Sequence, residues 1–112
     1  MNTKYLSVTP EIQAALAEGR PVVALESSHK VEEIIRAEGA IPATTAIIGG
    51  KLKVGLNSEE LELMCRAENV GKVSRRDVAV YLSEGLTGAT TVATTMMIAE
   101  LAGIHVFATG GI

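Results

Sequence analysis

The sequence has no tryptophan, one phenylalanine and two tyrosines in 112 residues. So sparse an aromatic set excludes a surface that binds single-stranded nucleic acid by stacking bases on rings. Positive charge is not in excess either. Ten Lys and Arg against thirteen Asp and Glu leave a net charge of −3, without the basic footprint that a polyanion partner needs. The one cysteine, Cys65, has no internal partner for a disulfide, which suits a reducing compartment. No apolar run nears the roughly 20 residues of a membrane span. The start, Met1-Asn2-Thr3-Lys4-Tyr5, lacks the apolar stretch of a secretory signal. These absences leave a soluble, cytoplasmic domain as the expectation.

What is present is aliphatic. Hydrophobic residues make up 47% of the chain, and Ala, Val, Ile and Leu supply most of them. One α/β domain spanning residues 1–112 is expected. Thr9-Pro10-Glu11 predicts a helix start with a hydroxyl cap, a first-turn proline and an acid at the positive end of the dipole. That helix runs to about Glu18, and Gly19 stops it. Residues 22–26 read as a strand, and 31–38 as a helix with Val31, Ile34 and Ile35 on one face. A buried strand over 43–48 leads into Gly49-Gly50 and a hairpin partner at 51–54. Asn57-Ser58-Glu59-Glu60 has the pattern of a capping box for the next helix. Residues 70–74 read as a strand, Asp77 as the cap of a helix carrying Val78, Val80, Tyr81 and Leu82, and 105–109 as a final strand. Residues 90–102 predict the longest helix, apolar nearly all round and therefore central. Alternating strands and helices predict a mostly parallel sheet flanked by helices in α/β/α layers. The sequence ends one step past an apolar strand, where the loop of a parallel α/β domain usually carries the site. The domain is therefore expected to be incomplete.

Four groups of residues invite chemistry. Glu26 follows four apolar residues, and a carboxyl in such surroundings is a candidate general acid, although a solvated or lysine-paired strand end is the commoner outcome. Lys72-Val73-Ser74-Arg75-Arg76-Asp77 offers three cations at a strand–helix junction. Lys72 would meet a phosphate as a point charge, while Arg75 and Arg76 suit solvent or Asp77. Gly88-Ala89-Thr90-Thr91 opens a helix, where backbone N–H groups and two hydroxyls make either an anion site or a plain threonine cap. It is no P-loop, since no Gly-Lys-Ser/Thr follows. Gly110 and Gly111 allow close approach of a ligand, or simply turn the chain. His29 and His105 lack metal-pair spacing, Cys65 has no histidine near it in sequence, and the four methionines read as core. No metal site is expected from these residues.

Taken in order, several segments resemble the pseudouridine-5'-phosphate glycosidases, the family also called indigoidine synthase A-like. They are Pro21-Val22-Val23-Ala24-Leu25-Glu26-Ser27, Val31 to Arg36, Gly39 to Thr44 and Ala46 to Gly50. They continue through Lys53 to Leu56, Lys72 to Asp77, Gly88 to Ala93 and Val106 to Ile112. The likeness covers nearly the whole chain. It implies manganese-dependent cleavage of the C–C glycosidic bond of pseudouridine 5'-phosphate, a lyase-type reaction giving uracil and ribose 5-phosphate. It implies that Glu26 is the proton donor and that Lys72 and Val92 contact substrate, Val92 through its backbone; Thr90 and Thr91 are phosphate-binding candidates from the helix start alone. It implies a homo-oligomer, a trimer. A C–C bond has no leaving oxygen, so the ribose must open and an amine must capture its carbonyl carbon as an imine, a task for lysine.

The chain departs from that pattern twice. The family carries a longer loop after the Glu-Ser pair, whereas Ser28 here runs almost directly into His29-Lys30-Val31. By comparison with functional loop lengths, roughly twenty residues are absent. The metal-binding aspartate and the imine-forming lysine belong to family sequence beyond Ile112, and no lysine here matches the nucleophile. The expectation is a partial domain, catalytically silent alone. The alternative is a non-catalytic protein that binds a sugar phosphate or assembles with full-length subunits.

Overall fold

A computed structural model describes residues 5–26, 29–66 and 71–108, without side chains for 29–31, 65 and 66. The chain forms β1 (Leu6–Val8), α1 (Pro10–Glu18), β2 (Val22–Leu25), α2 (His29–Ala37), β3 (Ile41–Ile48), β4 (Lys51–Val54) and α3 (Ser58–Arg66). It continues through β5 (Gly71–Val73), a 3-10 turn (Arg75–Asp77), α4 (Val78–Glu84), β6 (Gly88–Thr90), α5 (Val92–Ala102) and β7 (Val106–Ala108).

The long strand β3 is the hub. Its first half, Ile41 to Thr44, pairs in parallel with β2, and β2 pairs in parallel with β7. Its second half, Thr45 to Ile48, pairs antiparallel with β4, which pairs in parallel with β1. Ala46 and Ile47 also pair antiparallel with β6, which pairs in parallel with β5. Most pairings are parallel, as expected, yet the sheet is mixed. Both exceptions follow from one turn. Gly49 and Gly50, at φ of +56° and +77°, reverse the chain in two residues, which only antiparallel strands permit. The Gly50 N–H then donates to Leu86 O at 3.0 Å, and the Gly49 N–H to the Thr87 hydroxyl at 3.0 Å. These bonds start β6 at the turn end of β3, so it must run back along it.

Helices cover both faces. Successive residues of a strand point to opposite sides. Thr44 reaches Glu32 on α2, while Thr45 reaches Thr95 on α5. α1 lies with α2, joined to it by a bidentate Arg36–Glu11 pair at 3.0 Å for each contact. With both faces covered, β3 is buried from Ile41 through Ile47. The core is aliphatic, from Ile12 and Ala15 of α1 through Ile47 and Val54 to Ile98 and Ala99 of α5.

Several expectations need correction. Thr9 makes no side-chain cap; Pro10 opens α1, and Gly19 closes it in the left-handed conformation. Asp77 does not cap α4. Its carboxylate turns back to accept from the Ser74 hydroxyl at 2.8 Å and the Ser74 N–H at 3.3 Å. The Asn57–Glu60 box is present, with reciprocal bonds of 3.0 and 2.8 Å. Residues 88–90 form β6, so α5 starts at Val92 with Thr91 as its cap. α5 is not enclosed on all sides, since Met96 is 55% exposed. Ile34, expected to be inward on α2, is 62% exposed. Gly110, Gly111 and the side chains of His29 and Cys65 lie outside the described residues.

Candidate functional site

Four strand ends approach one region. Register sets Leu25, the last residue of β2, beside Thr44 of β3 and Ala108, the last residue of β7. β6 runs the opposite way along the second half of β3, and Ala89 opposite Ala46 brings Thr90 next to Thr45. β5 accompanies it, with Val73 beside Thr90. The C-terminal ends of β2, β7, β6 and β5 thus gather around Thr44 and Thr45, where strands from opposite directions meet. Such a convergence of carboxyl ends is where open α/β sheets form their crevice.

The residues singled out by sequence stand at these ends. Glu26 follows Leu25 directly and is half-buried. Lys72 is exposed on β5, paired with Ala89. Val92 is the first residue of α5, half-buried, one position beyond the Thr91 cap. Val73 O ties the last two elements together. It accepts from the Thr91 N–H at 3.3 Å and from the Thr94 hydroxyl at 2.7 Å. Arg75 and Arg76 are exposed and do not share Asp77's hydrogen bonds with Ser74, which hold that carboxyl below the usual carboxylate range. His105 is exposed just before β7 rather than packed inside it.

Thr90 and Thr91 take different positions from the one first assigned to them as a pair. Thr91 accepts the Thr94 N–H at 3.3 Å and donates to the Thr94 hydroxyl at 3.1 Å, so its oxygen serves the helix start. Thr90 is 1% exposed, and its hydroxyl bonds inward to Thr45 and Thr95 at 2.9 and 2.8 Å. An anion at this helix start would therefore meet backbone N–H groups rather than the Thr90 hydroxyl.

Sequence reasoning missed Thr44, Thr45, Thr94 and Thr95, all buried and all hydrogen-bonded. The signal was available: two adjacent threonine pairs inside apolar segments must find partners, because an unpaired buried hydroxyl is costly. Glycine also shapes this region. A Cβ at Gly88 would collide with Val73 Cγ2 and come within 2.7 Å of Tyr81 Cε2, so only glycine lets β6 pass beneath Tyr81.

A separate cleft of about 290 Å³ opens on the α1–α2 face, lined among others by Glu11, Glu32, Arg36 and Asn57. Its guanidinium is already engaged. Arg36 binds both oxygens of Glu11, which lowers the Glu11 carboxyl and raises Arg36. Among the described residues no three His, Cys, Asp or Glu side chains gather to hold a metal ion, and no helix is long and apolar enough to cross a membrane.

Comparison with known proteins agrees with the fold. A pseudouridine-5'-phosphate glycosidase of Petrotoga mobilis is 54% identical over 125 positions, covering 98% of this chain and 41% of the relative. The protein of the same name from Escherichia coli is 54% identical over 128 positions and covers all of this chain. Set against 112 residues, those 128 positions leave sixteen in the relative without a counterpart here. Among solved structures, the prealnumycin C-glycosynthase AlnA, in complex with ribulose 5-phosphate, superposes with a TM-score of 0.89 at 48% identity, over 97% of this chain and 40% of AlnA. The chain spans about two-fifths of the length of the curated relatives it matches. The family described as indigoidine synthase A like protein matches residues 11–112, and the chain belongs to that family.

Proposed function

We propose that this chain carries the proton donor and part of the substrate cradle of a pseudouridine-5'-phosphate glycosidase, with Glu26 as the acid and Lys72 and Val92 against the sugar phosphate. The observation that supports this reading is the gathering of strand ends around Thr45, in a chain 54% identical to relatives of that name. Breaking the C–C glycosidic bond returns a proton to the ring carbon that leaves the sugar. A half-buried carboxylic acid at the end of β2 is placed to give it. Lys72 supplies a compact positive charge for the phosphate, and the Val92 N–H, at the start of α5, an unspent donor.

The described residues do not fit a manganese centre, so no step is assigned to one. On this reading a metal-binding aspartate and an imine-forming lysine would come from the part of the family's length that this chain does not match. The 112 residues alone are therefore expected to bind substrate without turning it over, in the cytoplasm if the bacterial relatives are a guide.

Calorimetric titration with pseudouridine 5'-phosphate tests the reading. Saturable binding, weakened roughly tenfold in Lys72→Ala, is expected, with no uracil released even when manganese is added. No saturable binding would overturn the site, and uracil release would overturn catalytic silence. A purely sugar-phosphate-binding role is the second reading, favoured by the ribulose 5-phosphate held by AlnA. It requires ribose 5-phosphate to bind as tightly as the whole nucleotide.

A further inference from the structure

Three hydroxyls meet at the junction of β2, β3, β6 and α5. The Thr45 hydroxyl lies 2.9 Å from Leu25 O, 2.9 Å from the Thr90 hydroxyl and 3.2 Å from the Thr95 hydroxyl. Thr95 donates to Thr90 at 2.8 Å. All three residues are at most 1% exposed, and no buried side-chain polar atom among the described residues lacks a partner.

The proton count constrains this network. A threonine hydroxyl has one proton to donate and two lone pairs to accept. The Thr45 proton goes to Leu25 O, because a carbonyl can only accept. The Thr95 proton goes to Thr90. The Thr90 proton then has two acceptors, the Thr45 hydroxyl at 2.9 Å and the Thr45 carbonyl at 3.4 Å. The result is a connected set of hydrogen bonds from Thr95 through Thr90 and Thr45 to the Leu25 carbonyl, in dry surroundings where each bond strengthens its neighbours.

Its two ends matter. The Leu25 carbonyl belongs to the peptide that leads into Glu26, so its orientation sets where the glutamate backbone begins. Thr90 is two residues before Val92 and leads into the Thr91 cap. Thr95 is one turn into α5. We propose that Thr45, with Thr90 and Thr95, is a positioning device that holds the Glu26 peptide in register with the start of α5. This role rests on the glycosidase reading of Glu26 and Val92. It also gives Thr90 a structural function in place of phosphate contact.

The test is made on the 112-residue chain with Thr45→Val, Thr45→Ser, Thr95→Val and Thr44→Val. Thr44 lies on the other face of β3, where its hydroxyl donates to Glu32 at 2.6 Å, so its loss serves as a control for buried-hydroxyl removal. Backbone order at residues 26 and 92, from ¹⁵N relaxation of the ligand-free chain, reads the device itself. Pseudouridine 5'-phosphate affinity reads its use.

Thr45→Val is expected to loosen both positions together and to weaken binding roughly tenfold, while Thr45→Ser restores both. Thr44→Val should leave positions 26 and 92 as ordered as before. Thr95→Val removes only the first donor, leaving every remaining hydroxyl proton an acceptor. It keeps the test alive should Thr45→Val fail to fold, and is expected to shift the same two positions by less.

Unchanged order at 26 and 92 in a folded Thr45→Val, or in Thr95→Val where that is the folded one, overturns the device. So does an effect of Thr44→Val equal to that of Thr45→Val. Should the unsubstituted chain bind no pseudouridine 5'-phosphate, the glycosidase reading fails, while paired loosening of 26 and 92 still supports the device.

Discussion

The two faces of β3 solve the same problem in different ways. On one, Thr44 gives its proton to a carboxylate, Glu32, beside an open cleft and the Arg36–Glu11 pair. On the other, the Thr45 hydroxyl meets the Leu25 carbonyl and the hydroxyls of Thr90 and Thr95, all neutral groups. A charged acceptor near solvent can be re-hydrated when its partner is lost. A neutral acceptor in a dry core cannot. The face with neutral partners is therefore the more brittle, and it is the face that holds the strand ends in register.

The contrast is broken most forcefully by Thr45→Val. It removes the Leu25 carbonyl's hydroxyl donor and leaves Thr90 only the longer bond to the Thr45 carbonyl, and should cost about 3 kcal/mol in denaturant unfolding. Gly88→Ala attacks the same side by crowding. With Val73 Cγ2 in the way of the new carbon, a loss of about 2 kcal/mol is expected by the same measurement. Thr44→Val, on the charged face, should cost only about 1 kcal/mol, because Glu32 can turn to water. If Thr44→Val equals Thr45→Val, the two faces do not differ as argued.

Acid sharpens the comparison from the other direction. Glu11 and Asp77 titrate below their ordinary values in the folded chain, through Arg36 and Ser74 respectively. A depressed folded-state pKa adds stability that is fully present above the unfolded pKa, about 4, and is lost as pH falls through the lower folded value. Unfolding free energy followed from about pH 5 down to about pH 2 should therefore decline. Glu11→Gln should make that decline slightly shallower. The effect is the smallest of the set, since the Arg36–Glu11 pair is half-exposed and solvent screens it. Thr45→Ser should leave the slope unchanged, because it keeps the hydroxyl and touches neither Glu11 nor Asp77.

Much of this fold was legible where local chemistry decides alone. Two glycines at 49–50 give the hairpin, and Asn57 with Glu60 gives the α3 box. Legibility failed where distant contacts decide. β1 is three residues long and exists because Leu6, Ser7 and Val8 pair with β4, a pairing invisible locally. Pro42 argues against a strand, yet β4 pairs only from Thr45 onward, so the proline lies on a stretch where one edge asks for no hydrogen bond. Thr90 and Thr91 looked alike because both precede an apolar helix. Only pairing with β3 and β5 turns Thr90 into a strand residue and leaves Thr91 the cap. Of the candidate site, Glu26, Lys72 and Val92 could be named from sequence segments. The hydroxyls between the elements could not, since 45 residues separate Thr45 from Thr90.

Glu60 uses both of its oxygens. One accepts the Asn57 N–H at 3.0 Å, and the other meets Lys53 Nζ at 3.0 Å. A single carboxylate thus fastens the end of the hairpin to the start of α3, across a stretch of only a few residues. Short loops close at the least entropic cost, and contacts near in sequence form fastest. Kinetically, β3, β4 and α3 make the unit where ordering begins, and they present the central strand as a finished template. β2 and β6, whose partners are more distant in sequence, are expected to dock on it later, which would make the gathering of strand ends around Thr45 a late-forming part of the molecule.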